Sequence, residues 1–180
     1  KSRPYDDIQP PVFGPDKTTV AYLAMRAGKW LSVVGDSEGP ANFDGVGDAA
    51  PVFSFDGKRT AFAARKGGQL TKIGLIDAKW MVVVTTTGKA SAVGKGPLYD
   101  MAVSPVFSPD GRRIAYRARR GPKEEAKRFI VVADAATGKV IKEGPIGDEI
   151  WPPVWSADGR TLGYGARVGR ELWWRSEVMP

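Results

Sequence analysis

The chain has 180 residues, 42% hydrophobic and 26% charged, which is the composition of a globular protein long enough to bury a core. It has no cysteine and no histidine, which excludes disulfides, thiol catalysis and a Ser-His-Asp triad and removes the commonest metal ligand. The formal net charge is +7, and no apolar run reaches the roughly 20 residues of a membrane-spanning helix.

A short motif recurs along the chain. Its clearest copy, Pro-Val-Phe-Ser-Pro-Asp-Gly at 105–111, leads into Ile-Ala-Tyr at 114–116 and predicts two strands joined by a tight turn. The glycine can take the positive φ that ends such a turn, and the aspartate can bond its own backbone. The copies begin at Pro11, Pro51, Pro105 and Pro153. A period of about 40–50 residues with several short strands is typical of β-propeller blades.

Each unit is predicted to hold four strands. The inner strand is the Pro-Val-Phe segment, and the second strand covers residues 20–24, 60–64, 114–118 and 162–166. The third covers 30–34, 80–84, 129–133 and 172–178, and the fourth is irregular. The fold class predicted is all-β, a single propeller domain over residues 1–180. Its four blades are residues 11–50, 51–104, 105–152 and 153–180.

A connector with its own mark, a proline followed three or four residues later by an aspartate, precedes the later inner strands. The N-terminus carries the same mark at Pro4 and Asp7, and the chain stops directly after a third strand. We therefore expect residues 1–10 to close the last blade, which removes open sheet edges. Two alternatives stay open: the chain is a slice of a larger propeller, or a partner chain supplies the missing strand.

On these turn motifs the whole chain resembles the TolB-type propellers, a bacterial WD-like repeat family built on a Ser-Pro-Asp-Gly turn. Residues 108–111 match that turn fully, whereas the copies at 54–57 and 156–159 lack the proline and the copy at 14–17 lacks both serine and glycine. The resemblance implies a bacterial protein-binding scaffold in the periplasm or at the cell surface.

Most of the excess positive charge lies in residues 112–128, which hold eight basic and two acidic side chains. The basic residues are Arg112, Arg113, Arg117, Arg119, Arg120, Lys123, Lys127 and Arg128. Arginine forms bidentate contacts with anionic groups, so this block could bind nucleic acid, an acidic glycan or lipid headgroups. The alternative interpretation is a solvated rim of the third blade.

The adjacent pair Trp173 and Trp174 is the second candidate for a binding surface. Neighbouring strand residues face opposite sides of a sheet, so one indole of the pair should be exposed or covered by another molecule. Other tryptophans occupy strand positions that recur as aromatic residues, which favours core packing between blades.

We expect no enzyme activity, no cofactor and no metal. The carboxylate pairs Asp6-Asp7 and Glu124-Glu125 are adjacent in loops, so nothing fixes two carboxylates across a cleft, and no phosphate loop or nucleophile motif is present. The function predicted is a non-catalytic protein–protein interaction scaffold, or an assembly subunit of a bacterial extracytoplasmic complex. Two long hairpins, at residues 69–79 and 121–127, are the expected variable loops. The alternative is an anion binder that uses the basic rim, and oligomerisation through the last blade is also expected.

Overall fold

The structure is a computed structural model that describes residues 4–71, 74–87, 92–121 and 126–179. The described residues form antiparallel β-sheets and contain no helix. The first sheet contains β1 (Asp7–Ile8), β2 (Val12–Phe13), β3 (Val20–Arg26), β4 (Lys29–Val34) and β5 (Ser37–Glu38). The second contains β6 (Gly45–Val46), β7 (Val52–Phe53), β8 (Arg59–Lys66), β11 (Lys79–Thr86) and β12 (Ala92–Lys95), with a separate hairpin of β9 (Gln69–Thr71) and β10 (Gly74–Ile76).

The third sheet contains β13 (Met101–Phe107), β14 (Arg113–Arg120), β15 (Lys127–Asp134) and β16 (Val140–Glu143). The fourth contains β17 (Glu149–Ile150), β18 (Val154–Trp155), β19 (Thr161–Val168) and β20 (Glu171–Val178). The predicted fold class, an all-β propeller, is confirmed. The described sheets form a partial propeller, in agreement with the alternative of a slice rather than with a closed four-blade ring.

The N-terminal segment lies on the first sheet. Asp7 and Ile8 pair with Met25 and Ala24 of β3, so β1 and β2 are two halves of the inner strand of the first sheet. Tyr5 packs edge-on against Tyr22 of β3. The expected closure of the last blade by residues 1–10 is therefore wrong for the described part of that segment. In the first sheet, as in every later sheet, the strand that follows the Pro-Asp mark pairs with the second strand of the same sheet. The N-terminal segment therefore belongs to the first sheet and not to the last.

The sheets pack face to face, and three of the four core clusters among the described residues join sheets that are consecutive in the chain. The fourth, formed by Ala24, Leu31 and Val33, lies within the first sheet. We call the side of a sheet that meets the preceding sheet its leading face and the opposite side its trailing face. Phe62, Tyr116 and Tyr164 occupy the same position on the leading faces of the second, third and fourth sheets. Tyr116 shares a cluster with Ala61 of the preceding sheet, so a large ring packs against a small residue at the interface.

The turn between the inner and second strands is held by its serine and aspartate. In the third sheet, Ser108 Oγ accepts from the backbone N–H of Arg113 at 3.0 Å and donates to Asp110 Oδ1 at 2.6 Å. Asp110 Oδ1 also accepts from the N–H of Arg112, and Gly111 has a φ of 67°. Turns of the second and fourth sheets repeat these bonds. The Ser-x-Asp-Gly sequence is therefore a self-contained hydrogen-bonded turn.

The first sheet makes the turn with different residues. Glycine stands in place of the serine, and Asp16 accepts from the backbone N–H groups of Thr18 and Thr19. The Thr19 hydroxyl donates to the other carboxylate oxygen at 2.5 Å. These bonds, led by that of Thr19, lower the pKa of Asp16 to about 2.

Because the turn hydrogen bonds lower the pKa of the aspartates, we expect the folded chain to become less stable in acid. The bond from the Ser108 hydroxyl is the main cause that lowers the pKa of Asp110, and Asp16 titrates at about 2 in the folded chain. A depressed folded pKa adds stability above the unfolded value, near 3.9, that is lost as the pH falls through the folded value. We expect the free energy of unfolding to decrease from about pH 4 to about pH 2, measured by urea denaturation.

A matched variant isolates the carboxylate from the turn geometry. Asp110→Asn keeps an oxygen that can accept the same bonds but does not titrate. Its free energy of unfolding should therefore change less with pH than that of the parent chain. An unchanged pH slope would contradict this assignment.

A second repeated aspartate stabilises the opposite end of the second, third and fourth sheets. The backbone N–H groups of Asp44, Asp100 and Asp148 donate to the second strand. Their carboxylates accept from the N–H groups of Gly67, Gly121 and Gly169, respectively, which lie at the hairpin tips with positive φ. Asp100 also pairs with Lys79 of the preceding sheet at 2.5 Å, and this bond is the main cause that lowers its pKa. The aspartate of the Pro-Asp mark therefore ties the connector to the hairpin tip by hydrogen bonds.

Candidate functional site

The turns form a continuous surface at one end of the propeller. Each turn glycine lies close to the turn before it: the Gly159 Cα region approaches Pro109, and that of Gly57 approaches Pro15. Arginines at the start of second strands reach the next turn, because Arg59 donates to the Gly111 carbonyl at 2.8 Å and Arg113 to the Gly159 carbonyl at 2.9 Å. Neighbouring turns are therefore held in fixed positions.

An apolar groove of about 710 Å³ lies on this surface between the second, third and fourth sheets. Its walls come from inner-strand ends and turns, including Phe53, Phe55, Phe107, Pro109, Val154 and Trp155. Phe55 is 81% exposed. The Trp155 indole donates to the Val106 carbonyl at 3.3 Å and lies under the Arg113 guanidinium, so the groove wall is held in place. Exposed aromatic and proline surface of this kind is typical of peptide-binding grooves.

Exposed cations lie on the three turns whose residues line the groove. They are Lys58, Arg112 and Arg160, and each follows its turn aspartate by two residues. The Lys58 ammonium group forms an exposed ion pair with Asp56 Oδ2 at 3.9 Å. The turns that supply the apolar walls of the groove therefore also carry positive charge.

Sequence reasoning did not identify this groove. The Pro-Val-Phe segments were predicted to be inner strands, and the Ser-x-Asp-Gly residues were predicted only to form a turn. One signal was available: Phe55 stands where the first and third copies have Pro15 and Pro109. A large apolar side chain at the tip of a turn has no core to enter, so its position indicates a surface role.

The predicted basic block does not lie in one place. Arg113 and Arg120 are at opposite ends of the eight-residue strand β14, about 24 Å apart at 3.4 Å per residue. Arg113 lies at the turn surface. Arg117 lies midway and donates to the Ile150 carbonyl and to Ser104 Oγ. Burial lowers the pKa of Arg117.

Apart from Arg112, which lies on the turn surface beside Arg113, the remaining described members of the block lie at the hairpin end. Arg120 forms a bidentate pair with Glu143, at 2.8 and 2.6 Å, and covers the rings of Tyr99 and Phe129. Arg119 and Arg128 donate to the carbonyls of Asp100 and Asp148. Lys127 and Arg112 are exposed, and Lys123 lies outside the described residues. Most of these cations therefore join neighbouring segments of the propeller.

Trp173 and Trp174 face opposite sides of β20. Trp173 pairs with Ala166 on the leading face and is 50% exposed, whereas Trp174 pairs with Gly165 on the trailing face and is 68% exposed. Both indoles are therefore accessible, although the alternation of a strand required only one to be.

The part of the chain that the structure describes contains no group of three or more acidic residues placed to hold a metal ion. Within the same residues, none of the secondary structure is a helix long and apolar enough to cross a membrane.

The sequence matches no protein-family model and no curated protein. Similar solved structures include a putative TolB from Agrobacterium tumefaciens, at 16% identity and a TM-score of 0.56 over 98% of this chain. The β-propeller domain of the Trilobed protease from Pyrococcus furiosus is 16% identical, with a TM-score of 0.57 over 98%. A putative dipeptidyl aminopeptidase IV from Bacteroides ovatus is 11% identical, with a TM-score of 0.63 over 91%.

The chain covers 59%, 58% and 28% of these three proteins, respectively, and so spans less than two thirds of each. At these identities the likeness shows the fold alone. The chain has a TolB-like β-propeller fold, and propellers of this shape also occur in proteases.

Proposed function

We propose that this propeller is a non-catalytic module of bacterial protein recognition, related to the TolB-type propellers and located in the periplasm or at the cell surface. The observation that carries the proposal is the apolar groove on the turn surface, with the exposed ring of Phe55 at its edge. Its partner is a segment of another protein that inserts apolar side chains into the groove.

The chemistry of the groove specifies the kind of segment. Phe55, Phe107 and Trp155 offer ring surface to aliphatic or aromatic side chains, with a gain of about 1.5–3 kcal/mol for each large side chain fully buried. Lys58, Arg112 and Arg160 are exposed on the same three turns and favour acidic residues on either side of the apolar ones. An extended acidic–apolar peptide satisfies both features.

The anion-binding alternative is weaker on the same grounds. Arg120 is bound to Glu143 and Arg117 to a carbonyl and a hydroxyl, so an anion at either would compete with existing hydrogen bonds. Spreading the block over the length of β14 also separates the charges at its two ends by more than the Debye length of about 8 Å at physiological salt. Steep loss of binding with added salt would favour this alternative.

The test is selection of peptides from a phage-displayed random library on the immobilised chain. We expect enriched peptides to contain aliphatic or aromatic residues flanked by acidic ones. Phe55→Ser should weaken their binding by about 10-fold or more, which is the loss of one buried ring, in fluorescence titrations of a synthetic peptide.

The matched control is Phe13→Ser. Phe13 ends the inner strand of the first sheet, is 71% exposed and lies outside the groove walls, so its loss should leave the peptide affinity unchanged. Equal effects of the two variants, or selected peptides without apolar residues, would refute the groove as the binding site.

A further inference from the structure

The trailing face of the fourth sheet is an exposed apolar surface. Its members alternate along β18, β19 and β20 with the residues that pack on the third sheet. The exposed side chains are Val154, Leu172, Trp174 and Val178, with Trp151 beside them. At the positions equivalent to Trp174, Val82 of the second sheet and Ile130 of the third are each 2% exposed. The same surface is therefore covered by a following sheet wherever one is present.

The shape of this face differs from that of the trailing faces of the second and third sheets. Gly163 stands where the second and third sheets have Ala61 and Ala115. The Trp174 indole lies across Gly163, with its ring 2.5 Å from the position a Cβ would take, and Trp151 lies across Gly165 in the same way. The two indoles therefore raise the surface instead of leaving a depression.

The leading face of the first sheet carries a depression beside a part that is already covered. Ala24, Leu31 and Val33 on this face are buried, with Tyr5 and Tyr22 packed against them. Tyr22 occupies the position that Phe62, Tyr116 and Tyr164 occupy in the later sheets, where each contacts a preceding sheet. In front of Tyr22 lies an open apolar groove of about 530 Å³, lined by Ile8, Gln9, Pro10, Pro11, Val20 and Tyr22. Ile8 is 56% exposed at its edge.

Charges beside the two faces are already paired. Glu38 beside Tyr22 forms an ion pair with Arg26, and Arg167 on the trailing face of the fourth sheet forms one with Glu149 at 2.8 Å. Covering either face therefore leaves these carboxylates with their partners and avoids the larger cost of burying an uncompensated charge.

We propose that two copies of this chain associate head to tail, with the raised trailing face of the fourth sheet of one copy against the grooved leading face of the first sheet of the other. The contact repeats the leading-to-trailing order of the three interfaces inside the chain. It is a heterologous interface, since each face binds a different surface on the partner copy.

The experiment is light scattering on the purified chain over a wide range of protein concentration, with one variant on each face. The parent chain should associate as its concentration rises. Ile8→Glu blocks the leading face of the first sheet and Trp174→Glu blocks the trailing face of the fourth. Each variant alone should be a monomer, because every contact in it would place a carboxylate in an apolar interface.

An equimolar mixture of the two variants should form a 1:1 dimer, because Trp174→Glu keeps an intact first sheet and Ile8→Glu an intact fourth. Phe55→Ser, on neither face, should associate as the parent chain does, which separates this inference from the proposed peptide groove. Unchanged melting temperatures would show that the exposed substitutions leave the fold intact.

Three outcomes would overturn the proposal. The first is a parent chain that stays monomeric at every concentration. The second is an Ile8→Glu variant that still self-associates, which would show pairing of fourth sheets with each other. The third is a variant mixture that forms no dimer.

Discussion

Replacing Tyr116 by alanine is expected to lower the free energy of unfolding by about 3–5 kcal/mol. The Tyr116 side chain is fully buried between the second and third sheets, in one cluster with Ala61, Val82 and Val84. Its ring also packs edge-on against Tyr99, with 6.2 Å between centroids. Truncation would leave a cavity between two sheets whose backbones are fixed by their own hydrogen bonds, so little collapse can relieve it.

The control for this prediction is provided by the repeat. Tyr22 holds the same position in the first sheet, where among the described residues only the Tyr5 ring and not a preceding sheet packs against it, and it is only half-buried. Tyr22→Ala should therefore cost about 1 kcal/mol at low protein concentration. Urea denaturation followed by tryptophan fluorescence measures both, and similar losses would show that packing within a sheet, not between sheets, carries the stability.

The second large effect is expected from Ser108→Ala, with a loss of about 1–3 kcal/mol in the free energy of unfolding. Ser108 is fully buried, and its hydroxyl accepts from the Arg113 N–H while it donates to Asp110. Alanine would leave the buried Arg113 N–H without this acceptor and would remove the main cause of the low pKa of Asp110. The acid sensitivity of the variant should therefore also be smaller.

Ser156→Ala is the matched control for the turn. Ser156 makes the same two bonds in the fourth sheet, but its turn lies at the uncovered end of the propeller, where water can replace the hydroxyl. Thermal melting should show a smaller loss than for Ser108→Ala. A loss equal to that of Ser108→Ala would mean that burial of the turn does not matter.

The sequence predicted the repeating elements because their chemistry is local. The Ser-x-Asp-Gly turn needs only its own residues, and the alternation around Tyr116 and Tyr164 shows directly which face is buried. The third strand was displaced by one residue in the third unit. Phe129 was matched with Trp30, whereas the bridges of Trp30 to Phe43 and of Arg128 to Gly147 make Arg128 its equivalent.

Features that depend on neighbouring sheets were not predictable in this way. The N-terminal Pro-Asp mark was correctly identified but assigned to the last blade, because the sequence shows the mark and not the strand that it pairs with. The basic block appeared as one patch in sequence, although strand length separates Arg113 from Arg120. Arg113 also donates to the Gly159 carbonyl of the next sheet, and Arg120 to the Glu143 carboxylate of its own sheet. The groove around Phe55 exists only because three turns meet.

The sequential order of the sheet contacts bears on how the chain acquires its structure during synthesis. A nascent sheet finds its packing partner in the segment translated just before it, since each described cluster that spans two sheets joins successive ones. Domains begin to fold from the N-terminus as they leave the ribosome, and loop closure over one repeat costs little entropy. The first sheet can therefore act as a template for the second while the fourth is still untranslated. The sheets then add to the propeller one by one, in the order in which they are translated.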